Sequence, residues 1–266
     1  MVSIKQSFSN LVMVIKESAV VLWHNPQIIA TVIVLNLILR TLFVPNTFSY
    51  MEIAHTPYTG VISWWIAVFG VVCLSLLYWY FSLSVTVYIM HILRQQTASW
   101  SSSFSTALQL TKRNIGVVLL FLFSIFITIL GYVFTDTLRG ATLFIALSIL
   151  GIMALVIDCW LVYAEQLLID GQNSIKAVAA QSWQYVKKDW VALLGIAAFY
   201  LLVVFNATLI LVPMLMIIKF LSGSFSKEAF MLLSQRVNIL LFSPIFDTWL
   251  LVMLSRLYLQ LRQKNK

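Results

Sequence analysis

The stretch Ser182-Trp183-Gln184-Tyr185-Val186-Lys187-Lys188-Asp189-Trp190 stands directly before the long apolar run 191–218. It reads as the last two turns of a helix lying along a membrane surface, then a polar stop, then the start of a membrane span. The same device occurs twice upstream. SAVVLWHNP (18–26) leads into the run 27–44, and ALQLTKRNI (107–115) leads into 116–135. In all three copies an Asn or Asp stands at the junction (Asn25, Asn114, Asp189), with basic residues or His just before it.

Composition agrees with a chain built around such junctions. Of 266 residues, 61% are apolar and 10% charged, outside the range of soluble domains. A transmembrane helix needs about 20 mostly apolar residues. Stretches free of Asp, Glu, Lys and Arg run 18–39, 53–93, 114–135, 140–157 and 190–218, and a sixth, 237–255, is interrupted only by Asp247. Strands of a membrane barrel are shorter and alternate in polarity, so length decides for helices. The expected fold is an all-α integral membrane domain over residues 1–266. It has six transmembrane helices as three hairpins, each preceded by a cytoplasmic interfacial amphipathic helix.

The interfacial helices are expected over 3–23, 100–113 and 174–188, and the spans over 27–44, 61–93, 115–135, 141–169, 190–220 and 237–259. On the first helix Ile4, Phe8, Leu11, Val12, Ile15 and Leu22 fall on one side, with Lys5, Ser9 and Lys16 off it. Asn25-Pro26 favours a break there, because proline disfavours helix in the residue before it. Lys16 and Glu17 interrupt the early apolar stretch, so it does not read as a secretory signal. With the N-terminus inside, twelve of the 17 Lys and Arg residues fall on the cytoplasmic side and five outside. That bias places both termini in the cytoplasm. The basic residues do not cluster on a soluble domain, so nucleic acid is not an expected partner. The bilayer is, and with it further copies of the chain or other membrane proteins.

An echo within the spans supports a repeat: Asp158-Cys159-Trp160-Leu161 and Asp247-Thr248-Trp249-Leu250 share the pattern D-x-W-L. Three further features are Trp23-His24-Asn25-Pro26 before the first span, the central segment from Trp183 to Trp190, and a last span reaching into Arg256-Leu257-Tyr258. In this order they resemble bacterial six-span proteins of unknown function. Those are similar to the membrane domain fused to some glycerophosphodiester phosphodiesterases. The resemblance implies architecture only, because the soluble barrel with the catalytic carboxylates and histidines has no counterpart here.

Ionisable groups inside a bilayer are costly and are functional candidates. Asp158 and Asp247 are the two candidates for a substrate or ion, with Asn206 and Pro213 of the fifth span as polar partner and kink. Counted from the outer ends of their spans, Asp158 lies deeper than Asp247, so they do not read as a paired-carboxylate catalytic site. Lys112, Arg113, Lys187, Lys188 and Arg262 form an inner basic collar suited to lipid headgroups. His24, His55 and His91 are scattered without metal spacing. Cys73 and Cys159 fall within spans as small hydrophobes, and no nucleotide loop or Ser/His/Asp set is present. No cofactor, metal or catalytic residue is therefore expected. The expected role is non-enzymatic, in lipid handling, envelope organisation or membrane-protein assembly. The alternatives are a small proton- or cation-coupled carrier using Asp158 and Asp247, or a membrane-embedded lipid-headgroup enzyme.

Overall fold

A computed structural model describes residues 4–35, 37, 61–203 and 243–264. Every regular element among them is an α-helix: α1 (Ile4–His24), α2 (Pro26–Leu35), α3 (Val61–Leu93), α4 (Trp100–Arg113), α5 (Ile115–Thr137), α6 (Gly140–Leu161), α7 (Ala164–Ile169), α8 (Ile175–Lys188), α9 (Trp190–Val203) and α10 (Ser243–Gln263). The far part of the expected first span, the 45–60 connector, the 222–236 loop, the start of the sixth span, and Asn206 and Pro213 all lie outside the described residues.

Two stretches are single helices long and apolar enough to cross a bilayer, Val72–Leu93 and Gly140–Ile169. Counting each bent pair as one span raises the number to four. The bends fall at the asparagines. The axes of α1 and α2 meet at 82°, and those of α4 and α5 at 87°. Both turns are built alike. Asn25 Nδ2 donates to Val21 O and Asn114 Nδ2 to Leu110 O, each at 2.9 Å; the first covers a carbonyl at the helix end, and the second joins the Asn114 N–H on the same oxygen. The Asn carbonyl then accepts the first bond of the next helix, from Ile28 N or Val117 N at 3.0 Å. One residue thus closes one helix and opens another, which lets the chain turn sharply without exposing backbone groups.

The chain divides into two compact units, 1–44 with 189–257, and 45–188 with 258–266. In the first, α1 packs on α9 and α10. Gly195 permits the α9 approach, since a Cβ there would lie 2.3 Å from Leu11 Cδ2. Ser7, Leu11, Val14, Ser18 and Val21 form the buried stripe of α1, whereas Phe8, Val12 and Trp23 stay exposed, Trp23 at 85%. The sequence had put Phe8 and Val12 on one side with Leu11 and Leu22. The helix instead carries two apolar stripes, one spent on protein and one facing outward.

In the second unit α3 is the centre. Residues 83–90 are buried all round, as a helix surrounded by others must be, and α4, α5 and α7 pack against it. α5 and α6 pack on one another, and α8 lies on α6 and α7. α6 presents Phe144, Ile149, Ile152 and Leu155 to the outside, each more than half exposed. An apolar face of that length is stable in lipid and not in water.

The expected fourth span runs as one apolar stretch, Gly140–Ile169, with a local irregularity where α6 ends at Leu161 and Tyr163 adopts φ −113° and ψ 13° before α7 begins. α3 and α7 end in matching caps. Gln96 N donates to His91 O and Gln95 N to Ile92 O, while Gln172 N donates to Leu167 O and Gly171 N to Leu168 O. This is the six-to-one, five-to-two pattern closed by a left-handed residue, here Gln95 at φ 58° and Gly171 at φ 91°.

Candidate functional site

The two matching caps bring their last residues, Arg94 and Asp170, into contact. The carboxylate of Asp170, with a side chain only 7% exposed, gathers three donors. Arg94 donates to Oδ1, the Tyr258 hydroxyl donates to Oδ2, and Arg262 Nη1 lies 2.7 Å from Oδ2. Around it Tyr163, Tyr185 and Tyr258 form a ring of aromatic contacts, with centroids 5.5 to 5.9 Å apart. Three separate parts of the chain, α3, α7 and α10, are thus tied at one carboxylate. Donors engage both of its oxygens, so it is suited to holding helices together and poorly suited to taking a proton from a substrate.

The two D-x-W-L copies are built on one plan. In the second unit Ser124 Oγ of α5 donates to Asp158 Oδ1 at 3.2 Å. In the first, the Tyr200 hydroxyl of α9 donates to Asp247 Oδ1 at 2.6 Å. Each carboxylate therefore accepts from a hydroxyl on the preceding helix among those described. Each motif also meets a fully buried serine seven residues before a junction, Ser18 before Asn25 and Ser182 before Asp189. Ala107, equally buried, holds that position before Asn114.

The copies part at the tryptophan. Trp249 Nε1 donates to Ser18 Oγ at 2.9 Å, and Phe199 meets the Trp249 ring edge-on. Ser18 passes its own proton to Ile15 O. Ser182 instead donates to Cys159 O at 2.9 Å and accepts from Tyr163 N at 3.4 Å. The backbone break after α6 consumes that serine, and Trp160 makes no hydrogen bond among the described residues.

The basic collar is distributed over different surroundings. Lys112 and Arg113 are exposed in the last turn of α4, where cations complement the helix dipole. Lys187 and Lys188 end α8, with Lys187 Nζ 5.2 Å above the Trp183 ring. Arg262 has Asp170 as its partner and lies within α10. Arg256 pairs with Glu17 at 3.4 Å.

Sequence reasoning missed Arg94, Asp170 and Tyr258 as a set, and Glu165. Glu165 sits inside the expected fourth span, in the first turn of α7, and accepts from the Thr86 hydroxyl of α3; an acidic residue within an apolar run was the available signal. The third junction differs from its counterparts. Asp189 has no amide to donate to the carbonyl four residues back. It is 1% exposed, its Oδ2 takes a long 3.4 Å bond from Asn10 Nδ2, and its Oδ1 is buried without a partner among the described residues. No cluster of His, Cys, Asp or Glu suited to a metal occurs among the described residues. No family model, no curated protein and no solved structure matches this chain.

Proposed function

We propose that the chain is a six-span inner-membrane protein with both termini cytoplasmic. It acts without catalysis in lipid handling, envelope organisation or membrane-protein assembly. Three helices ending at Asn25, Asn114 and Asp189 lie in the cytoplasmic leaflet, and the spans pack as three hairpins beneath them. The near-right-angle turn after α1, together with its outward stripe of Phe8, Val12 and Trp23, carries this reading. A helix perpendicular to its span, with one apolar stripe against protein and another left outward, is shaped for an interface. Lys112, Arg113, Lys187 and Lys188 then stand at headgroup level, each contributing about 1 kcal/mol against an anionic leaflet.

Spin labels at positions 12, 108 and 183 of the reconstituted protein test the reading. It expects all three at the same shallow depth by oxygen and nickel accessibility, and a label buried at the bilayer centre at any of them overturns it.

A second reading, a proton- or cation-coupled carrier, draws on the paired hydroxyl–carboxylate contacts at Asp158 and Asp247. It expects flux in proteoliposomes that Asp158→Asn and Asp247→Asn abolish without loss of folded protein. The first reading expects no flux to be lost.

A further inference from the structure

The tryptophan that Ser182 leaves unbonded opens onto a cleft. Trp160 of α6 and Trp183 of α8 line a space of about 350 Å³, within the range of small-ligand sites. Ala179 and Ala180 leave it room where larger side chains would fill it. Lys176 is its one charged lining residue. A second cation, Lys187, is held against the Trp183 ring. The rest of the lining is apolar, with Ile175 and Trp183 themselves partly exposed.

We propose that this cleft binds an anionic phospholipid, with one acyl chain along the Trp160–Trp183 walls and the phosphate against Lys176 and the Trp160 indole N–H. Three observations support it. The lining is nearly all apolar and aromatic, which fits a hydrocarbon chain better than a polar solute. Its single ammonium has no acidic partner in the cleft, so an anion completes it. Tryptophan and lysine side by side are the pair that membranes gather at the headgroup level, the ring in the hydrocarbon boundary and the charge in water. At the D-x-W-L motif of the first unit the corresponding indole N–H is instead bonded to Ser18. The assignment rests on the cytoplasmic-leaflet placement of α8, and it adds a lipid class and a location to it.

The test uses the full chain reconstituted in vesicles of phosphatidylcholine or phosphatidylglycerol brominated on the acyl chains. The Trp160 signal is read as wild type minus Trp160→Phe. Bromine quenches on contact, so the signal reports an acyl chain at the ring. The proposal expects phosphatidylglycerol to compete for the cleft with a roughly fivefold preference, the size one lysine near an anionic headgroup supports. Lys176→Gln should remove the preference, and Ala180→Leu should lower quenching by both lipids. Both changes are at exposed positions, and unchanged helix content and unfolding temperature confirm that they fold. Equal quenching by both lipids, or a preference that survives Lys176→Gln, overturns the site while leaving the leaflet placement of α8 standing. Absence of quenching by either lipid, at Trp160 and at Trp183 alike, overturns that placement as well.

Discussion

The two units solve the same local problem with different chemistry. Each has a D-x-W-L helix against a serine-bearing helix that ends at a polar junction. In the first unit the tryptophan closes the contact through Trp249 and Ser18, and the serine-bearing helix α1 ends at Asn25, whose amide and carbonyl are both bonded. In the second the tryptophan stays open at Trp160, and the carboxylate at the end of α7, Asp170, is saturated by three donors. Buried polar groups cost stability until they are paired. The comparison shows where each unit has the pairing and where it lacks it: the first is paired at its motif and at the Asn25 junction, the second is saturated at Asp170 and open at Trp160.

The largest effect expected is at Asp170. Asp170→Asn leaves Arg94 and Arg262 without a counter-charge. Loss of one member of a buried ion pair costs roughly 3–5 kcal/mol, and the partial exposure of both arginines puts the expected loss near the lower end. Unfolding in detergent micelles measures it, and a loss under about 1 kcal/mol would show that the cluster is not a clasp.

Next comes the tryptophan pair. Trp249→Phe should cost about 1–2 kcal/mol, a hydrogen bond and its packing. Trp160→Phe should stay within about 0.5 kcal/mol of the parent. Equal costs at the two positions would erase the contrast between closed and open motifs.

A gain is expected at the third junction. Asp189→Asn supplies the amide donor that Asn25 and Asn114 use, and removes a poorly paired buried charge. Stability should rise by about 1 kcal/mol in the same unfolding measurement. A fall would mean that the charge of Asp189 is matched. The smallest change is Gln95→Gly. It relieves a left-handed non-glycine residue at the cap where Gly171 serves the second copy, for a gain of about 0.5 kcal/mol once the added freedom of the unfolded chain is subtracted.

Much of the helical layout was legible in the sequence because it depends on local signals. Helices occupy Val61–Leu93, Trp100–Arg113 and Ile175–Lys188, where apolar periodicity and polar stops set their ends, and the chain turns at Asn25 and Asn114 because those residues can cap in both directions. The two stripes of α1 were not separable, since Phe8 and Leu11 are equally apolar and only the position of α9 decides which is covered. The Asp170 cluster was out of reach for another reason. Arg94, Asp170 and Arg262 each look like an ordinary charge at a helix end, and the property that distinguishes them is a meeting in space that no spacing encodes. Glu165 was legible in principle, as a carboxylate within an apolar run. Asp158 and Asp247 stood out for that reason, yet their partners Ser124 and Tyr200 differ in residue type and sequence distance, so only the structure reveals the shared plan.

The Asp170 cluster also imposes an order in time. Arg94 is synthesised before Asp170, whereas Tyr258 and Arg262 leave the ribosome later, by on the order of ten seconds at ordinary elongation rates. During that interval Asp170 can hold Arg94 alone, so the ends of α3 and α7 join first and α10 arrives at a carboxylate with one oxygen still to fill. The last helix is thus guided to its place by a charge that the earlier helices have already positioned and only partly neutralised.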